Sequence, residues 1–177
     1  MHMHELVRIH SIGYDLKNVK VEFKRELKLD VSGIKIEGKQ GEILNVPRWA
    51  ANVLESEKHV EIQDEDMVVQ LKQALEKEKM LGEFDLPTLS VNSIPDPYFY
   101  IKLKSYMKRL PEKDGDRIES MLNKLLRTRQ SKIIRLADSS KLTAEISKKL
   151  SIEEREFYNQ VHGISTKFTK TIMGDKK

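Results

Sequence analysis

Two histidines at i and i+2 (His2 and His4), two adjacent carboxylates (Glu153 and Glu154) and the basic run RTRQSKIIR over 127–135 are the residues of this chain whose types and spacing could do chemistry. Imidazoles two apart on an extended segment can share a metal ion. Paired carboxylates can divide acid and base roles, and clustered cations can hold phosphate. Each has a plainer reading. MHMH reads as a flexible lead-in ahead of Met3, and Glu153 and Glu154 fall in the first turn of a helix, where acids are favoured in any case. The chain has no G-x-x-x-x-G-K-[ST], G-x-G-x-x-G or H-E-x-x-H motif. It also has no cysteine, which removes thiolate metal sites, disulfides and a cysteine nucleophile. The expectation is a protein with no catalytic residues, no metal and no cofactor.

The basic run rewards a closer look. At 100° per residue, Lys124, Arg127, Ser131, Arg135 and Asp138 share one polar face, while Ile118, Leu122, Leu125, Ile133 and Leu136 gather on the opposite one. A solvated polar face accounts for Lys124, Arg127 and Arg135, and contact with nucleic-acid phosphate is the sharper alternative. Arg129 falls in the middle of the apolar face. A guanidinium there leaves water and needs a carboxylate, because an unpaired buried charge is severely unfavourable. Within the chain Asp85, Asp96, Glu153 and Glu154 are the candidate partners; an acid from another subunit is equally allowed, and an internal partner is favoured.

Net charge is +4 with a pI of about 9.1, but the excess is local. Residues 102–149 carry 14 basic against 6 acidic groups, whereas 64–101 are net acidic. One basic helical segment predicts weak, salt-sensitive and sequence-independent DNA contact at most, since no base-reading motif or aromatic stacking platform accompanies it.

The elements that must position these residues change character along the chain. In 19–27 Val19, Val21 and Phe23 alternate with charges, Val31, Ile34 and Ile36 continue as strand, and Ile43, Leu44 and Val46 precede Pro47. Pro47 suits the first position of a short helix. On it Trp49 and Val53, with Ala50 and Leu54 beside them, predict a lid over a sheet too small to bury itself, and 59–62 form a last strand. From Asp64 the period becomes helical, with Val68, Leu71 and Leu75 as a stripe and Gly82 as the stop. A proline connector over 84–97 leads to Phe99, Leu103, Tyr106 and Leu110. Pro111 and Gly115 then bound a loop, a long helix covers 116 to about 137, and Ser151 and Glu154 form an S-x-x-E capping box. Below it Phe157, Val161, Ile164 and Phe168 line one face. The expected fold is α+β: a small β-rich domain over 1–63 with a Trp-bearing helix, then an all-α domain over 64–177. With no apolar run of membrane-spanning length, no membrane association is expected and a cytoplasmic location is. The apolar stripes exceed what short helices can hide, Ile134 included, so association with another chain is expected.

These stretches resemble the GINS DNA-replication complex subunits. Val46, Pro47, Trp49, Ala51 and Leu54 look like the family's V-P-x-W-x-A-x-x-L helix. DPYFYIKLKSYMKRL, RQSKIIRLA and LSIEERE are similar to its acid-aromatic helix, its R-x-x-K-I-x-x-L-A helix and its L-[ST]-x-E-E helix start. Arg129, Lys132, Ile133, Leu136 and Ala137 match the second of these position by position, and the likeness runs from about Leu6 to Phe168. One departure is that Asp96, Pro97, Tyr98, Phe99 and Tyr100 stand where acid, aromatic and tyrosine would be adjacent. The β-domain-first order is that of one of two archaeal subunit types. The resemblance implies a non-catalytic scaffold that joins a sister subunit of reversed domain order, two copies of each. It also implies binding of the MCM helicase and a RecJ-like protein at nucleoid replication forks. Trp49, Tyr98, Phe99, Tyr106, Arg129, Ile133 and Ile134 are the expected structural or interface residues. The alternative is a stand-alone nucleic-acid-binding module acting through 102–149.

Overall fold

The computed structural model describes residues 3–31, 33–83, 85–89, 95–139 and 142–174. The chain is α+β and divides into two units, His4–Glu65 and a second that starts at Asp66.

The first unit contains helix α1 (Met3–Asp15), strands β1 (Asn18–Phe23), β2 (Leu27–Val31), β3 (Ile34–Gly38) and β4 (Ile43–Pro47), helix α2 (Arg48–Ser56) and strand β5 (Val60–Ile62). β1 is the middle strand of an antiparallel sheet ordered β4-β1-β5, and β2 and β3 form a separate hairpin. The alternation in β1 works as period-2 sequence should: Val19, Val21 and Phe23 are buried, and Lys20 and Glu22 face outwards. The stretch 19–27, expected as one strand, is two. The β1 ladder ends at Phe23, which donates its N–H to the Glu42 carbonyl (2.9 Å) and accepts from the Gly41 N–H (2.7 Å), and β2 then pairs with β3 instead. Gly38 is required where the hairpin meets the sheet, because a Cβ there would lie 2.7 Å from the buried Phe23 ring.

Two further expectations for this unit are corrected. Met3 and His4, expected as part of a lead-in, open helix α1, and residues 1 and 2 lie outside the described residues. Leu6, Val7, His10 and Tyr14 share its covered side at helical spacing, and Tyr14 is buried with the Arg48 guanidinium 4.5 Å above its ring. On α2 the buried face is Arg48, Ala50, Ala51 and Leu54; Val53 is exposed, and Trp49 is half-buried at the edge of the core. Small alanines let α2 lie close on the sheet, which turns the larger side chains to the rim. Arg48 is buried by a bidentate pair with Asp64, both contacts 2.7 Å. Burial alone would lower its pKa, but Asp64 more than offsets this and raises it.

The second unit is helical: α3 (Met67–Met80), α4 (Phe99–Met107), α5 (Glu112–Ser139), α6 (Ala144–Lys149) and α7 (Ile152–Met173). Asp66 caps α3, accepting from the N–H groups of Val68 (2.9 Å) and Val69 (3.3 Å). The loop expected between Pro111 and Gly115 is the first turn of α5. The Pro111 carbonyl accepts from Asp114 and Gly115, and Glu112 and Asp114 add favourable charge at that end. α6, capped by Thr143, has too few residues for a periodic signal. In the 84–97 connector, residues 84 and 90–94 lie outside the described residues. Ser151 and Glu154 complete the capping box at the start of α7.

α7 runs beside α5 in the same direction: Glu154 reaches Arg129, His162 Nδ1 lies 2.7 Å from the Ala137 carbonyl, and Ser165 donates to Asp138 (2.5 Å). α3, α4 and the first half of α5 enclose one core cluster around Leu71, Phe99, Leu103 and Leu125. The second half of α5 builds another with Leu86, Leu150 and Tyr158. The polar site lies where the two clusters meet on α5.

Candidate functional site

Arg129 is 1% exposed, on the apolar face of α5 as its position on the helical wheel demands. All five of its N–H donors are used. Nε and Nη2 hold the two oxygens of Glu154, the latter at 2.8 Å, and Nη1 holds Glu78 at 2.6 Å. The Pro87 carbonyl (3.0 Å) and the Lys149 carbonyl at the end of α6 (3.2 Å) take the rest. Beside it Lys132 bridges Glu78 (2.7 Å) and the Asp85 carbonyl (3.0 Å). Two cations therefore meet two carboxylates, and the buried cluster is neutral.

Glu154 is the node of the cluster. Its carboxylate accepts from the Ser151 N–H (3.0 Å) to close the capping box, from Arg129 through both oxygens, and from the Tyr100 hydroxyl (2.7 Å). Burial would by itself lower the pKa of Arg129; Glu154, with Tyr100 and Glu78 behind it, overrides this and raises it. The Tyr100 phenol is pushed well above its usual value by burial and by the negative charge of Glu154. A cleft of about 690 Å³ opens next to the cluster, with Tyr100, Met107, Leu126 and Phe157 among its walls. Arg129 has no donor left to offer into it, and the arrangement locks the helices together.

Of the partners foreseen for Arg129, Glu154 is the one found. Asp85 contributes its carbonyl rather than its carboxylate, and Asp96 instead accepts from the Tyr98 N–H (3.0 Å) and pairs with Lys102 (2.8 Å). Glu78 was missed, although the sequence holds its signal. Met67, Leu71, Ala74 and Leu75 define the buried stripe of α3, and Glu78 occupies the next position on it. Tyr100 was missed because the Asp96–Pro97 departure obscured the register, which puts Tyr98 at the helix cap, Phe99 in the core and the Tyr100 hydroxyl on Glu154.

The remaining expected residues scatter. Phe99 and Ile133 are buried inside their own unit, Trp49, Tyr98 and Tyr106 are half-buried, and Ile134 is exposed. Lys124, Arg127 and Arg135 are exposed on the polar face of α5, and Arg135 is engaged by Glu83. His2 lies outside the described residues, and among those described no group of three or more His, Asp or Glu is placed to hold a metal. No described helix is long and apolar enough to cross a membrane.

The three stretches DPYFY, RQSKIIRLA and LSIEERE thus converge on one place, through Tyr100, Arg129 with Lys132, and Ser151 with Glu154. The model of the GINS complex protein helical bundle domain matches residues 53–173, more than half of the chain and all of that place. This chain belongs to the GINS family. Comparison with curated proteins gives no match. As a GINS subunit it is a component of a hetero-oligomeric DNA-replication complex, and the buried Arg129–Glu154 cluster is the interior lock of its helical domain.

Proposed function

We propose that this GINS subunit is a non-catalytic scaffold that supports the MCM replicative helicase at replication forks. Its partners in this reading are a sister subunit of reversed domain order, two copies of each, and a RecJ-like protein, and its place is the nucleoid within the cytoplasm. The observation that carries the reading is the saturation of the polar cluster. Every donor of Arg129 is spent on holding α3, α5, α6 and α7 together, and Glu154 is spent on the same task, so the most distinctive residues serve shape rather than turnover. The order of a β-rich unit before a helical one supports the assignment to the β-first subunit type. Co-expression with a reversed-order sister subunit, followed by native mass spectrometry and an MCM unwinding assay, tests it. A stable complex that stimulates unwinding is expected; a chain that ignores the sister subunit, or a complex without effect on unwinding, overturns the reading.

A second reading rests on Lys124 and Arg127, exposed one turn apart and engaged in no ion pair among the described residues. They suit a DNA backbone. Charge reversal at both should lower DNA affinity and reduce the salt slope by about two, because each phosphate contact contributes about 0.9 to it. Binding that persists at high salt, or that discriminates sequences, would favour the stand-alone nucleic-acid-binding module.

A further inference from the structure

Residues 85–89 lie in the connector between α3 and α4 and form no regular secondary structure, yet Leu86, Pro87 and Leu89 are buried. Irregular backbone inside a protein must have its polar groups met one by one. Two cations of α5 do so for the carbonyls of residues 85 and 87. Lys132 Nζ donates to the Asp85 carbonyl (3.0 Å) and Arg129 Nη1 to the Pro87 carbonyl (3.0 Å), so cations one turn apart grip alternate residues of a strap. Pro87 brings no N–H that would need a partner. Lys132 is buried, and its ammonium also holds Glu78 on the last turn of α3 (2.7 Å), which ties that helix to the strap that follows it.

The grip sets a register that puts one leucine into each core cluster of the helical unit. Leu86 belongs to the cluster of Leu136, Leu150 and Tyr158, and Leu89 to that of Leu71, Phe99 and Ile118. Among the described residues, α5 and this connector alone give buried apolar side chains to both clusters. Farther along, the Pro97 carbonyl accepts from the Ile152 N–H (3.1 Å), a donor that the first turn of α7 leaves open. The connector is thus fastened to α5 at one end and to the start of α7 at the other. Among the described residues, the α6–α7 end contributes only Leu150 and Tyr158 as buried apolar side chains, so its docking leans on the strap.

We propose that the strap is a clasp by which α3 and α4 hold the α6–α7 end of the unit closed, so that the two clusters open together only while Lys132 grips it. With the clasp released, the Leu86 cluster opens first and α7 with it. The device lies within the chain and does not depend on the scaffold reading. The chain has no cysteine, so Ala74→Cys and Ala137→Cys, one fully covered alanine in each cluster, report local opening by thiol labelling of the full chain in urea. Both sites should become reactive at one urea concentration. Adding Lys132→Met, which keeps the stem and removes the ammonium, should open the Ala137 site about 1 M urea before the Ala74 site. Ile118→Val, a loss inside the Leu89 cluster and away from the strap, should shift both sites together. Leu86→Val loosens the strap without touching a charge and should separate the two sites in the same order by a smaller interval; it decides the matter if Lys132→Met does not fold. Strap variants that move both sites together, as Ile118→Val does, overturn the clasp, and so do sites that already open apart without them.

Discussion

Replacing Arg129 by alanine removes one cation from a neutral buried set of four. Glu154 keeps the Tyr100 hydroxyl and the Ser151 N–H, and Glu78 keeps Lys132, but two carboxylates then face a single ammonium inside the helical unit. The carbonyls of Pro87 and Lys149 lose their donor as well. Breaking a buried pair in this way costs about 3–5 kcal/mol, a large share of the stability of a domain this size. The thermal midpoint of the helical unit should fall by on the order of 15 °C. The two units can be followed separately. Trp49 is the only tryptophan and sits in the first unit, so its fluorescence reports the β-rich part, while far-ultraviolet circular dichroism is dominated by the helices. The dichroism transition should move and the tryptophan transition should not. Arg129→Lys restores the charge but not five donors in a fixed fork, and should recover only part of the loss. In a cycle with Glu154→Ala the double variant should be less damaged than the sum of the singles, by about 0.5–3 kcal/mol. An unchanged dichroism midpoint for Arg129→Ala would refute the argument that this cluster holds the helices together.

Three further outcomes follow from other contacts. The raised Tyr100 pKa means that below about pH 10 the phenol is neutral whether the chain is folded or not, whereas above it the unfolded chain ionises first; stability should decline on the alkaline side, and Tyr100→Phe should flatten that decline in pH-dependent urea unfolding. Gly38→Ala should destabilise the first unit by about 1–3 kcal/mol, seen in the Trp49 fluorescence transition, because the fully buried Phe23 ring cannot yield to a Cβ at 2.7 Å. Arg48→Ala should leave Asp64 and the Tyr14 ring without their shared partner, and faster proteolysis within α1 and around residues 63–66 than in the parent chain is the expected sign.

Much of this was legible in the sequence where a single residue type forces a local answer. The period-2 run of β1, the Ser151 cap, the stop after α3 and the apolar face of α5 are decided by neighbours within a turn or a strand, and they stand in the structure. So did the demand that Arg129 find a carboxylate, since a charge on an apolar stripe is visible before any partner is known. Which carboxylate answered was settled only by the packing of α3 and α7 on α5, which brings Glu78 from 51 residues away and Glu154 from 25. Likewise α1 gives a weak periodic signal, because its covered side mixes Leu6, Val7 and Tyr14 with His10 and Ser11, and Tyr14 is buried beneath an arginine outside the helix. The α2 face turned because alanine lets a helix approach a sheet more closely than tryptophan does. Local pattern fixes where elements begin and which side is apolar, because those energies depend on residues a few positions apart. Which apolar sides are covered, and which buried charges meet, depends on contacts between residues distant in sequence. On α7 that distinction separates Tyr158, packed beneath α5, from Phe168, which the end of α5 leaves bare.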